Sequence, residues 1–143
     1  MTARKPADPV RHYLIERGVR TDLVDDGLAG LVERWARIVE EVARGYQLTL
    51  DDYVNDMDIR DIIGGALAVA PPAGREAIEA ALASADQKLL AATIPSPSLQ
   101  NLEDPENSWN PENPPSPDRW WYARRPRRAG PALTADLARL SGE

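Results

Sequence analysis

The sequence predicts an all-α fold: a small bundle of four to five helices, then a proline-rich extended C-terminal strap and a short last helix. Three observations carry that prediction. Apolar residues recur at spacings of three and four from Leu28 to Tyr46, and helix-start signals repeat along the first half of the chain. Nine of the 13 prolines fall between Pro95 and Pro131, where no helix period survives. The bundle is assigned to residues 1–93, the strap to 94–131 and the last helix to 132–143, and the 143 residues need only one modest core.

Residues 1–8 read as a loose end. Asp8 is expected to cap a first helix begun by Pro9, carrying Val10, Tyr13 and Leu14 inward until Gly18 ends it. Thr21 or Asp22 should cap the next, with Asp25 and Asp26 in the first turn, where the helix dipole favours negative charge. This is the organising helix. Leu28, Leu31, Val32, Trp35, Ile38, Val39, Val42 and Tyr46 form its buried stripe, Glu33, Arg34, Arg37, Glu40, Glu41 and Arg44 its outer face, and Gly45 its stop. Gly27 and Gly30 interrupt it near its start.

Thr49 and Asp52 then have the spacing of a capping box, with Leu48 and Tyr53 as its hydrophobic staple. Nine residues on, Met57, Asp58, Asp61 and Ile62 repeat those roles, which predicts a short helix near 50–56, a corner at Met57–Asp58 and a new helix near 59–69. Gly64 and Gly65 each cost about 1 kcal/mol relative to alanine inside a helix, so another helix is expected to cross closely there. Pro72 can begin a further helix with Ile78, Leu82, Ala85 and Leu89 inward, and Thr134 is expected to cap the last, with Leu133, Leu137 and Leu140.

Composition removes several chemistries. Without cysteine there is no disulfide, thiolate metal site or cysteine nucleophile, and the single histidine, His12, excludes a multi-histidine metal site. Seventeen basic against 23 acidic residues give a net charge of -6, which argues against generic nucleic-acid affinity and favours a basic or neutral partner. Met1–Pro9 lacks the apolar core of a secretory signal, and Ile62–Ala73, the longest apolar run, is too short and interrupted to span a membrane. A cytoplasmic location with no membrane association is the expectation.

The cluster Asp51, Asp52, Asp56, Asp58 and Asp61 is the one feature that suggests a hard cation, since carboxylates bind Mg²⁺. Asp52, Asp58 and Asp61 are already assigned to helix starts, leaving Asp51, Asp56 and Asp61 as the least implausible ligands of a carboxylate-metal phosphohydrolase. No cofactor is expected. His12 lacks a nucleophile partner, because no G-x-S-x-G turn occurs.

The sharpest element is the run from Arg119 to Arg128. Trp109, Trp120, Trp121 and Tyr122 are half of the chain's eight aromatics, more than a disordered tail carries. Three readings fit: docking of the tryptophans on the bundle itself, docking on a protein partner, or stacking of single-stranded nucleic acid between basic contacts. The residues proposed to bind a partner are Trp109, Trp120, Trp121, Tyr122, Arg124, Arg125, Arg127 and Arg128. The resulting expectation is a non-catalytic protein-interaction module, an adaptor or a neutralising partner of a basic protein, with the phosphohydrolase and nucleic-acid readings as alternatives.

Overall fold

The long amphipathic stretch becomes the helix on which the others pack. The computed structural model describes residues 8–96 and 117–140, and in it α2 spans Thr21–Arg44 with every residue of the expected stripe inside the helix buried. Around it lie α1 (Pro9–Glu16), α3 (Leu50–Val69) and α4 (Arg75–Ala92), while α5 (Pro131–Leu140) packs on α3. Two three-residue strands, β1 (Thr93–Pro95) and β2 (Arg124–Pro126), pair antiparallel with Ile94 opposite Arg125. A 3₁₀ segment, Pro117–Ala123, leads into β2. One apolar core takes residues from all five helices together with Trp121 and Tyr122. Among the described residues no helix is long and apolar enough to cross a membrane.

Local signals hold where their partners are local. The backbone N–H of Arg11 donates to Asp8 at 3.1 Å, which caps α1 as expected, and Gly45 closes α2. At the start of α3 the capping box is reciprocal: the N–H of Asp52 donates to Thr49 Oγ1 and the N–H of Thr49 to Asp52 Oδ2, both at 3.2 Å. The next orphan donor, the N–H of Leu50, is satisfied by Asp136 of α5 at 3.0 Å, which ties the last helix to the third. Thr49→Ala is accordingly expected to lower stability by about 1 kcal/mol, read as a shift of the urea midpoint at unchanged slope.

Other expectations are corrected. Neither Thr21 nor Asp22 caps α2: Arg20 holds the cap position, and its guanidinium pairs with Asp22 at 2.8 Å. Within α2, Gly27 adopts φ 71° and ψ −170°, a kink that an L side chain rarely allows. The corner at Met57–Asp58 does not exist, and α3 runs unbroken. Its buried residues, from Leu50, Tyr53, Val54 and Met57 to Ile59, Asp61, Ile63 and Ala66, fall on more than one face because α3 is packed on several sides, by α1, α2, α5 and the 3₁₀ segment. Asp58 uses its carboxylate to accept from the Tyr122 hydroxyl rather than to cap a helix. Leu48, cast as a staple, stays exposed.

A close crossing is present at Gly65 alone. A Cβ there would meet the Tyr13 hydroxyl of α1 at 1.8 Å, whereas one at Gly64 would find only Arg60 at 3.6 Å. The fourth helix begins at Arg75 rather than Pro72, and the fifth at Pro131 rather than Thr134, whose hydroxyl donates to the Ala129 carbonyl. The strap is not devoid of regular structure, since it holds the 3₁₀ segment and β2. Prolines are tolerated there because Pro95 and Pro126 sit at ladder positions facing outward: the flanking bonds run from Arg127 N–H to Ala92 and from Ser96 N–H to Ala123.

Candidate functional site

The aromatic and basic segment is built from consecutive residues that face different ways. In a 3₁₀ turn successive side chains diverge by about a third of a circle. Trp121 and Tyr122 point into the core, 4% and 2% exposed, while Trp120 is half-buried against them with its ring edge-on to Trp121 at 5.7 Å. The Arg60 guanidinium lies 4.5 Å from the Trp121 ring centre, a cation–π contact. That guanidinium also grips Asp86 of α4 in a bidentate pair, Nε to Oδ1 and Nη2 to Oδ2 both at 3.0 Å. Trp35 of α2 donates its indole N–H to Asp86 Oδ1 at 3.0 Å. Trp35, Asp86, Arg60 and Trp121 thus bind α2, α4, α3 and the 3₁₀ segment into one polar-aromatic chain.

The arginines divide by role. Arg124 donates from Nε to the Thr93 hydroxyl at 2.7 Å and from Nη2 to the Thr93 carbonyl at 2.9 Å, and Tyr53 donates to the Arg124 carbonyl. Arg127 donates from Nε to the Ala91 carbonyl at 3.1 Å. Both therefore close the C-terminus of α4, where orphan carbonyls and the dipole favour cations. Arg125 is half-exposed and Arg128 exposed, and neither side chain has a hydrogen-bond or ion-pair partner among the described residues. Trp109 lies outside the described residues.

The carboxylates do not converge. Asp51 is exposed, Asp56 accepts from the Tyr46 hydroxyl at 2.6 Å, and Asp61 is buried and paired with Arg17 at 2.8 Å. Among the described residues no three His, Asp or Glu side chains stand together as an ion site. His12 is exposed and faces Glu16.

Burial raises Asp56 and Asp58 above the ordinary carboxylate range, against the lowering effect of the tyrosine hydroxyls that donate to them. The Tyr46 and Tyr122 hydroxyls are in turn pushed up by burial and by those carboxylates. A carboxyl whose folded pKa is raised gives a contribution that is fully present below its unfolded value of 3.8 and is lost as pH rises through the folded value. Asp58→Asn keeps an acceptor for Tyr122 without the buried charge. It is expected to be at least as stable as the parent at about pH 7, with the difference narrowing as pH falls toward the unfolded value of 3.8, read from thermal midpoints. A loss at pH 7 that does not narrow would contradict it.

Sequence reasoning missed the Arg60–Asp86 pair. Its one signal was Asp86 standing beside Ala85 in the inward phase of Leu82 and Leu89, where a charge demands a partner. It also missed the seam between α2 and α4. There two adjoining hollows of about 260 and 290 Å³ share Lys88 in their walls.

Comparison with known proteins finds no matching family model, no matching curated protein and no matching solved structure.

Proposed function

We propose that this chain is a non-catalytic interaction protein, an adaptor whose aromatic segment serves its own scaffold while the arginines beside it face a partner. The observation that carries the reading is the division within residues 120–128: Trp121 and Tyr122 inside, Arg125 and Arg128 outside without a partner among the described residues. Exposed guanidiniums held on an ordered backbone are typical recognition groups, because little side-chain freedom is lost per bond formed. Stacking of single-stranded nucleic acid has less support, since the buried rings offer no face to a base. The phosphohydrolase reading has less as well, because Asp56 and Asp61 are engaged separately by Tyr46 and Arg17. The net charge of -6 favours a basic surface opposite the acidic helix faces, whereas the part of a partner that meets Arg125 and Arg128 carries acidic groups.

Affinity purification from the native host tests this with a matched variant. Arg125→Ser with Arg128→Ser should leave the unfolding midpoint unchanged and lose a protein that the parent chain retains. A parent chain that returns alone rejects the reading.

A further inference from the structure

From the α2–α4 seam we infer that this chain docks a short acidic amphipathic helix of a partner protein, its apolar face on the alanine floor and its carboxylates on Arg37, Arg127 and Arg128. The inference rests on the interaction reading above and adds the partner's chemistry. The two hollows share Lys88 as a wall and follow one another along the seam, with the Lys88–Glu40 pair bridging α2 and α4 between them. The floor is small and apolar, with Ala36, Val39 and Ala43 from α2 and Ala81, Ala85 and Ala92 from α4. Walls of that kind let a third helix approach closely, as in any helix packing. At a rise of 1.5 Å per residue, the floor along α4 from residue 81 to 92 is about 17 Å long, enough for about eleven helical residues.

Charge selects the occupant. Lys88 is paired with Glu40, which cancels both, and leaves Arg37, Arg127 and Arg128 as the lining groups of unbalanced charge. Among the described residues none of the three has a carboxylate within ion-pair distance, although Glu33 and Glu41 stand one turn to either side of Arg37. In a chain of net charge -6 this groove is a local reversal of sign. An acidic segment is steered to it by the field and held by the apolar floor, the helix-in-groove mode of recognition. Strand addition is disfavoured here, because Pro95 and Pro126 each remove an outward donor from the sheet edges. Nucleic acid is disfavoured too, because the accessible apolar side chains of the floor are alanines rather than stacking or base-reading groups.

The test uses the full chain and a labelled peptide of about twelve residues, alanine and leucine on one helical face and glutamate on the other, read by fluorescence anisotropy at low salt. Binding should weaken about tenfold in Arg37→Ser/Arg128→Ser, two residues whose side chains make no hydrogen bond among the described residues. It should be lost in Ala81→Trp, which fills the floor and leaves the charges in place. Thermal midpoints should stay at the parent value in both variants. Equal binding of the same peptide with lysine for glutamate, or full binding by Ala81→Trp, overturns the inference, as does preferential binding of oligothymidylate. Peptide binding that emerges only after Glu103, Asp104, Glu106 and Glu112 are changed to Gln also overturns it, by assigning the groove to this chain's own acidic stretch. If the peptide fails while host purification still depends on Arg125 and Arg128, the interaction reading stands and the acidic-helix partner falls.

Discussion

Asp86→Ala is expected to lower the free energy of unfolding by about 3–5 kcal/mol, a large fraction of the roughly 5–15 kcal/mol that a domain of this size has. The Arg60 and Asp86 side chains are only 14% and 16% exposed, so removing the carboxylate leaves a guanidinium with little water and no counter-charge. Two other groups are affected at once. Trp35 loses the acceptor for its buried indole N–H, and Arg60 is left with the Trp121 ring as its remaining named contact. Asp86→Asn, which can still accept from Trp35, should fall between the parent and the alanine variant. The double change Arg60→Met/Asp86→Leu should recover most of the loss, because removing both charges together also removes the desolvation cost. Urea unfolding with a common slope separates these cases, and an alanine variant within about 1 kcal/mol of the parent would show that the pair is solvent-screened.

That pair also marks the boundary of what the sequence reveals. Signals whose partners lie within one turn were legible: Asp8 to Arg11, Thr49 to Asp52, the stripe from Leu28 to Val42 and the stop at Gly45. The Met57–Asp58 corner failed for the complementary reason. An aspartate followed three residues later by another reads as a helix start only if its carboxylate is free to bond locally, and the hydroxyl that engages Asp58 comes from Tyr122, 64 residues away. A three-residue strand containing a proline carries no periodicity, so β1 and β2 become visible only as a pair brought together from either side of residues 96–123. The aromatic segment was legible in kind and not in detail. Its tryptophan content pointed to docking, but composition counts five arginines from Arg119 to Arg128 without showing that Arg124 and Arg127 close α4 while Arg125 and Arg128 face outward.

Trp121→Ala should cost a comparable amount, about 3–5 kcal/mol, through lost burial and the cavity left behind. Trp121 is 4% exposed, and its ring covers the guanidinium of Arg60, so its loss opens the Arg60–Asp86 pair to water as well as removing apolar contact. Trp120, half-buried beside it, should cost roughly 1–2 kcal/mol as alanine, in proportion to the smaller area it hides. The consequences should spread in a defined direction. With Trp121 gone, Tyr122 through Asp58 and the half-buried Trp120 are left to anchor the 3₁₀ segment, and β2 is held to the end of α4 by the bonds of Arg124 to Thr93 and of Arg127 to Ala91 and Ala92. Amide hydrogen exchange should therefore accelerate first in residues 120–130 and in the last turn of α4, while α1 and the middle of α2 keep their protection. Trp121→Phe, which retains a ring over Arg60, should preserve that pattern at a smaller loss. If Trp121→Ala instead leaves the unfolding midpoint and the exchange of residues 120–130 unchanged, the ring is not part of the core, and Trp121 returns to the set of residues available to a partner.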